Sequence, residues 1–158
     1  MSDRRQRFVS AVHLFLFRDD QVLLLRRRNT GFADGWYSVP AGHLDGDERV
    51  VDATVREARE EIGITLDPRR LRVVGVMHRR APDERIDFFL SADAWAGEIV
   101  NAEPEKCDDL AWFRRERLPA NVVPYVAQAL ENAARGRWFD EFGWDDRQYA
   151  PDEEPCDR

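Results

Sequence analysis

Long apolar runs, cysteine pairs and an excess of basic residues are all missing from this sequence of 158 residues. No apolar stretch approaches the roughly 20 residues that cross a bilayer, so we expect no contact with a membrane. The apolar run after the basic start is interrupted by His13 and by the charged residues 18–20, which argues against a signal peptide. We therefore expect a cytoplasmic protein.

The low cysteine content indicates the redox compartment of the protein, and the lack of an excess of basic residues limits the ligands that it can bind. Cys107 and Cys156 lie far apart without a CxxC spacing, so we expect two free thiols, as in a reducing compartment. The formal net charge of −7 disfavours binding of a DNA or RNA polymer, which requires a basic face. A small anionic ligand remains compatible with this charge, because a local arginine cluster or a metal ion is enough to bind it.

The apolar patterns predict one α/β domain at residues 8–144, preceded by a flexible start at 1–7 and followed by an acidic, disordered tail at 145–158. Strands are predicted at residues 8–17, 22–25, 36–39, 71–77, 85–90 and 110–113, and the first two form a hairpin. The aromatic segment 138–144 is expected to pack on the core or on a partner.

Two helices are predicted, at residues 49–62 and 121–134. Asp47 is the expected N-cap of the first helix and Gly63 its C-cap. In the second helix, Asn121 is the expected N-cap, Pro124 falls in the first turn, and Gly136 closes the end.

Three glutamates crowd one face of the first predicted helix. At about 100° per residue, Glu57, Glu60 and Glu61 fall within one arc of about 100°. The adjoining edge has the spacing of a core stripe, with Val51, Val55, Ala58 and Ile62. Like charges one turn apart destabilise a helix by roughly a few tenths of a kcal/mol per pair. A bound divalent cation would relieve this repulsion, and pairing with arginines in solvent is the alternative.

The segment 42–64 matches the Nudix box, G-x5-E-x7-R-E-U-x-E-E-x-G-U with U aliphatic, at every defined position. The fixed places hold Gly42, Glu48, Arg56, Glu57, Glu60, Glu61 and Gly63, and the aliphatic places hold Ala58 and Ile64. The chain therefore resembles the Nudix hydrolases of the MutT type. This resemblance implies an α/β/α sandwich with a mixed β-sheet between helices.

The resemblance also implies a magnesium site, with manganese as the alternative ion. Its ligands would be a backbone carbonyl of Ala41 or Gly42 and the carboxylates of Glu57, Glu60, Glu61 and Glu103. Arg56 would orient the glutamates, and Glu48 would brace the loop or help to position water. Either Glu57 or Glu60 would accept a proton from the attacking water, and the sequence leaves that choice open.

Three residues outside the box are candidates for substrate binding. By resemblance, Arg27 would reach a phosphate and Asn121 would face a nucleobase, and Asp109, which is expected near the same pocket, would also face the base. Each has an alternative role: Arg27 as an arginine exposed at a strand end, Asn121 as a helix cap, and Asp109 as an exposed turn residue.

The expected activity is magnesium-dependent cleavage of the diphosphate linkage in a nucleoside diphosphate derivative. A normal or oxidised (d)NTP, split into NMP and pyrophosphate, is favoured, and a nucleotide sugar is the alternative. A non-catalytic nucleotide-binding module would be expected to have lost at least one of the three clustered glutamates. An isomerase on the same fold would need insertions that this chain does not show. Homodimers are common in the family, so a homodimer is also considered.

Overall fold

Eight strands form one mixed sheet in the computed structural model, which describes residues 5–80 and 83–144. The main strand path is β3-β2-β1-β6-β5-β8, while β4 pairs with β1 and β7 pairs with β2. Parallel pairing joins β1 to β6 and β5 to β8, and the other pairs are antiparallel. The strands are β1 (Val9–Arg18), β2 (Gln21–Arg27), β3 (Tyr37–Ser38), β4 (Ala41–His43), β5 (Arg72–Arg80), β6 (Glu84–Ala92), β7 (Cys107–Arg114) and β8 (Phe139–Phe142).

Two helices, α1 (Val50–Ile62) and α2 (Pro124–Ala134), cover opposite faces of this sheet. Successive side chains of a strand point to opposite faces, and β1 follows this rule. Leu14 and Leu16 pack in the cluster that includes Ile62 of α1, whereas Phe15 packs in the cluster that includes Val126 of α2. The predicted α/β/α sandwich with a mixed sheet is confirmed.

Strand β1 changes its neighbour along its length. Phe17 and Arg18 pair with β2, whereas residues 11–13 pair with β4. At the change, the Leu14 N–H donates to the Pro40 carbonyl at 2.8 Å. β1 and β2 are therefore paired at one end and separated at the other, and the separation leaves room for a site.

The first helix begins one residue later than predicted and ends as predicted. Gly63 follows it with φ 72°, and its N–H donates to the Arg59 carbonyl. The N-cap prediction was wrong: Arg49 precedes α1 and makes no side-chain cap, while Asp47 lies in an earlier turn with φ 60°. Of the predicted core stripe, Ala58 and Ile62 are buried, and the two valines are half-buried.

The second helix begins at Pro124, three residues later than predicted, so Asn121 is not its N-cap. The preceding residues bond to β3 instead. The Tyr37 N–H donates to the Asn121 carbonyl, and the Val123 N–H donates to the Tyr37 carbonyl, both at 2.8 Å. This pairing keeps residues 121–123 out of the helix, and the fixed φ of Pro124 then suits its first turn. Gly136 follows the helix with φ 71°.

Two short strands, β4 and β8, were not predicted. The expectation that segment 138–144 packs on the protein is confirmed, because β8 pairs with β5 and Phe142 is buried in the core. The indole N–H of Trp144 also donates to the His78 carbonyl at 3.0 Å.

Of the two cysteines predicted to be free thiols, the structure describes one. Cys107 is a free, buried thiol, whereas Cys156 lies outside the described residues. Residues 1–4 and the predicted tail 145–158 also lie outside them. Across the ranges that are described, no helix has both the length and the apolar character needed to cross a membrane.

Candidate active site

A cleft of about 830 Å³ opens where β1 separates from β2. Carboxylates line it from α1 and from the loop before β7, namely Glu57, Glu60, Glu61 and Glu103. Basic side chains line other parts of it, namely Arg27, Arg79, Arg85 and Lys106. Acidic and basic groups therefore face one space, which suits a metal ion together with a phosphate ligand.

The helix presents its glutamates at different depths. The side chain of Glu57 is 13% exposed and that of Glu60 is 53% exposed. Ala58 and Ile62, on the neighbouring edge of α1, are buried in the core. Burial of this edge holds the acidic edge of α1 at the wall of the cleft.

Glu61 is the carboxylate most affected by its surroundings. Its Oε2 accepts a hydrogen bond from the backbone N–H of Ala41 at 2.9 Å. Burial raises the pKa of the Glu61 carboxyl to about 8, the Ala41 N–H opposes this, and the negative charges of Glu57 and Glu103 add to it. Such a group gains from a nearby cation, because a cation favours the charged form.

Glu57 lies between an arginine and a glycine. Burial raises the pKa of its carboxyl, and the bonded Arg56 guanidinium acts in the opposite direction. The Arg56 Nη1 donates to Glu57 Oε1 at 2.7 Å. A Cβ added to Gly42 would stand 1.9 Å from the same oxygen, so the glycine makes room for this carboxylate.

Arg56 also joins the helix to the loop before it. Its Nε donates to Glu48 Oε1 at 2.7 Å, and its Nη2 donates to Glu48 Oε2 and to the His43 carbonyl, each at 3.1 Å. The Asp45 N–H donates to Glu48 as well. A bidentate arginine–carboxylate pair of this kind fixes the relative orientation of the two side chains. It fits the predicted bracing by Glu48 and orientation by Arg56, and both roles remain predictions.

The Gly42→Ala variant is expected to lose about 100-fold in turnover, because a misplacement of about 1 Å near the chemistry costs on the order of 100-fold in rate. The new Cβ would meet the far end of the Glu57 side chain rather than backbone, so the carboxylate moves and the fold remains. Turnover and the melting temperature are the quantities to measure.

Gly46→Ala is the matched control for this variant, since a Cβ at Gly46 meets nothing within 4 Å. It is expected to retain turnover. Equal turnover in the Gly42 and Gly46 variants would show that the Glu57 position does not matter for catalysis.

The side chain of Arg27 is held by the loop that follows β2. Its Nε donates to the Phe32 carbonyl at 2.7 Å, and its Nη2 donates to Thr30 Oγ1 at 3.0 Å. Arg27 lines the cleft together with the glutamates, and its contact with a phosphate remains a prediction.

Glu103 reaches the cleft from the loop before β7. Its backbone N–H donates to Asn101 Oδ1 at 3.2 Å, and its carbonyl accepts from the N–H groups of Lys106 and Cys107. The loop therefore fixes its backbone beside α1. Its side chain lies 3.5 Å from the Lys106 ammonium group.

Asn121 and Asp109 are not among the residues that line this cleft. The Asn121 amide donates to the Gly35 carbonyl at 2.9 Å, and Asp109 accepts a hydrogen bond from the Tyr37 hydroxyl. Both side chains connect elements of the scaffold in this structure. Their predicted contacts with a nucleobase remain untested, and the structure does not bring them together with the carboxylates.

A buried polar cluster borders the cleft and was not predicted from the sequence. The Arg79 Nε donates to Asp87 Oδ2 at 2.6 Å, and the guanidinium carbon lies 3.7 Å from the centroid of the Tyr125 ring. The Tyr125 hydroxyl lies 3.0 Å from His13 Nε2. The sequence signal for this cluster was that Asp87 and His13 each stand between two apolar neighbours in a predicted strand.

Acidification is expected to destabilise the protein through His13. Burial lowers its pKa from an ordinary value near 6.5 to about 4; Asp87 opposes this shift, and Arg79 and Arg85 reinforce it. Below pH 6.5 the unfolded state takes up a proton that the folded state does not bind. Stability contributed by neutral His13 is therefore lost between pH 6.5 and 4, by up to roughly 3 kcal/mol.

Urea unfolding of the unaltered protein and of His13→Gln at several pH values measures this effect. The free-energy difference between them, unaltered minus variant, should fall as the pH drops from 7 to 4. A difference that stays constant over this range would contradict the assignment.

The chemistry of the donors suits a hard divalent cation, because magnesium prefers oxygen ligands. Within the described ranges, no three His, Cys, Asp or Glu side chains converge closely enough to hold a metal ion. Glu61 and Glu57 instead accept bonds from Ala41 and Arg56. The clustered carboxylates fit an ion when these side chains turn toward it.

Comparison with known proteins gives a family match, relatives of similar sequence and solved structures of similar fold. The NUDIX domain family matches residues 7–144. The NAD-capped RNA hydrolase NudC of Stutzerimonas stutzeri (strain A1501) is 35% identical over 103 residues, covering 65% of this chain and 35% of that protein. The 8-oxo-dGDP phosphatase NUDT18 of Homo sapiens is 29% identical over 127 residues, covering 78% and 38%. The crystal structure of a MutT NUDIX hydrolase from Burkholderia pseudomallei has a TM-score of 0.73 at 27% identity, covering 80% of this chain and 98% of that chain.

The family match covers most of the sequence and includes the box helix, the sheet and α2. The chain belongs to the Nudix family. It spans little more than a third of the two curated relatives, at 35% and 38% of their lengths. Both names therefore belong to proteins that extend well beyond the part that this chain matches.

Proposed function

We propose that this chain hydrolyses the diphosphate linkage of a nucleoside diphosphate derivative with the help of a divalent cation. The observation that carries the proposal is that four glutamates and several basic side chains line one cleft. Carboxylates alone would repel a phosphate, and the buried Glu61 carboxylate has a neutral backbone N–H, that of Ala41, as its hydrogen-bond donor. A cation between the glutamates and the phosphate satisfies both sets of groups.

In this proposal magnesium, or manganese in its place, is held by Glu57, Glu60, Glu61 and Glu103 and by a carbonyl of Ala41 or Gly42. The ion supplies charge neutralisation and a more acidic water when it is bound. Arg56 and Glu48 position the glutamates through their paired hydrogen bonds. Arg27, fixed by its loop, orients a substrate phosphate.

Either Glu57 or Glu60 is the proposed proton acceptor, and the surroundings of the two carboxylates differ. Glu57 is largely buried and bonded to Arg56 at 2.7 Å, whereas Glu60 is half-exposed and lies 3.4 Å from the same guanidinium. The pKa of the general base determines the acidic limb of the pH–rate profile. Comparing the profiles of Glu57→Gln and Glu60→Gln therefore assigns the role.

For the substrate, we propose a normal or oxidised (d)NTP, cleaved to NMP and pyrophosphate, with a nucleotide sugar as the alternative. The name of the human relative, an 8-oxo-dGDP phosphatase, supports an oxidised nucleotide. The name of the bacterial relative adds an NAD cap on RNA as a further candidate. A homodimer remains a prediction that sedimentation can test.

A substrate panel tests the proposal directly. The protein is incubated with magnesium and each of several compounds: dNTPs, 8-oxo-dGTP, 8-oxo-dGDP, a nucleotide sugar and an NAD-capped oligonucleotide. Monophosphates, phosphate and pyrophosphate are then quantified, with parallel samples in excess chelator. We expect turnover of at least one compound that stops with chelator. Binding without turnover across the panel would favour a non-catalytic nucleotide-binding module.

A further inference from the structure

A second concave surface lies toward the other end of β1 from the cleft. This basic groove has a volume of about 380 Å³ and is lined by Phe17, Arg69, Arg70, Arg72, Ser91, Ala92 and Asp93. None of these residues lines the cleft, which reaches β1 at Ala11 and His13. At about 3.3 Å per residue, His13 and Phe17 lie roughly 13 Å apart along the strand. The basic groove is therefore a separate surface.

Several elements bring arginines to this surface. Arg69 and Arg70 belong to the short 3-10 turn Pro68–Arg70, and Arg72 begins β5 opposite Ser91. Arg115 follows β7, and its guanidinium carbon lies 4.1 Å from the centroid of the Phe17 ring. Four guanidinium groups thus surround the end of the sheet, although the chain as a whole is acidic.

Few carboxylates neutralise these arginines. Arg69 pairs with Asp67 at 3.0 Å, and Asp93 is the carboxylate that lines the groove. In the part of the chain that the structure describes, Arg70, Arg72 and Arg115 make no ion pair. With Asp67 counted beside Asp93, three lining arginines face two carboxylates, so the groove keeps an excess of positive charge, in contrast to the formal net charge of −7 for the whole chain.

The ligand chemistry follows from these groups. Guanidinium forks bind phosphate oxygens in pairs, and a cluster of them favours a ligand with several charges. Arg115 lies over one face of the Phe17 ring, which closes that face to the nucleobase stacking that sites for single-stranded nucleic acids use. We propose that the basic groove is a second anion site that binds an oligophosphate, an anion with two or more linked phosphate groups.

Calorimetric titration of the full-length protein with tripolyphosphate, in chelator and at low salt, tests this proposal. Without a divalent ion the carboxylates of the cleft disfavour an anion there, so binding reports the groove. The double variant Arg70→Gln/Arg72→Gln is expected to bind at least about tenfold more weakly, because each guanidinium removed takes away charge-assisted hydrogen bonds to the phosphate oxygens. Added salt is expected to weaken binding further.

Controls separate this site from the cleft and from general surface charge. Arg27→Gln removes a cleft arginine and Arg49→Gln removes an arginine that is 77% exposed near α1; both should bind tripolyphosphate like the unaltered protein. Melting temperatures confirm that each variant is folded. Absence of binding, or binding that Arg27→Gln weakens and the double variant does not, would overturn the proposal.

Two further probes identify the ligand class. Orthophosphate should bind far more weakly than tripolyphosphate, because it carries fewer charges. A single-stranded oligonucleotide that binds more tightly than tripolyphosphate would overturn the assignment to oligophosphates. Because these titrations contain no divalent ion and measure no hydrolysis, their outcome is independent of the activity proposed for the cleft.

Discussion

The Glu57→Gln variant is expected to hydrolyse its nucleotide substrate at least about 100-fold more slowly than the unaltered protein while staying folded. Replacing groups that merely support metal ligands already costs about 10–100-fold, and Glu57 is a proposed ligand. The amide is nearly the same size as the carboxylate, so it fits the space at Gly42. It lacks the negative charge that both a cation and Arg56 require.

Steady-state rates at saturating magnesium, with the best compound of the panel, measure this effect. Glu131→Gln is the matched control, because Glu131 is an exposed glutamate of α2 that pairs with Arg135 and does not line the cleft. Its rate should be unchanged. Undiminished turnover in Glu57→Gln would remove Glu57 from the mechanism.

The Asp87→Asn variant is expected to lower the free energy of unfolding by about 3–5 kcal/mol, the usual cost of removing one partner of a buried ion pair. Arg79 and Asp87 are 2% and 0% exposed, and the bond between them is 2.6 Å long. An asparagine removes the carboxylate that pairs with the buried guanidinium next to the ring of Tyr125. Urea unfolding at neutral pH gives the difference.

Asp20→Asn is the control for this measurement. Asp20 pairs with Arg114 at 3.3 Å, and the two side chains are 61% and 64% exposed. Exposed pairs contribute at most about 1 kcal/mol, so this change should be small. A loss as small in Asp87→Asn as in Asp20→Asn would mean that water or another group compensates Arg79.

The local features of the fold could be predicted from the sequence because each depends on the spacing of residues within one helix or strand. Helical geometry alone places Glu57, Glu60 and Glu61 on one arc, and a glycine such as Gly63 closes a helix by its positive φ. Strands β4 and β8 lack such signals. Each has at most four residues, and each is defined by a neighbour that lies far away in the sequence.

The long-range contacts of the site could not be predicted from the sequence, because each depends on a partner that lies far away along the chain. Asn121 has the residue type of a helix cap, but pairing with β3 delays the helix and turns its amide to Gly35. Asp109 bonds to Tyr37, 72 positions away. Arg79 meets Asp87 because the β5–β6 register sets Arg79 opposite Arg85 and Met77 opposite Asp87. Loop lengths and registers of this kind cannot be read from the residues themselves.

Calorimetric titration of the metal-free protein with magnesium and with manganese measures whether the clustered glutamates bind a divalent ion. We expect saturable binding to the unaltered protein, weakened at least about tenfold in Glu57→Gln and unchanged in Glu131→Gln. A protein with no measurable affinity for either ion, and with turnover that chelator does not reduce, would contradict this expectation.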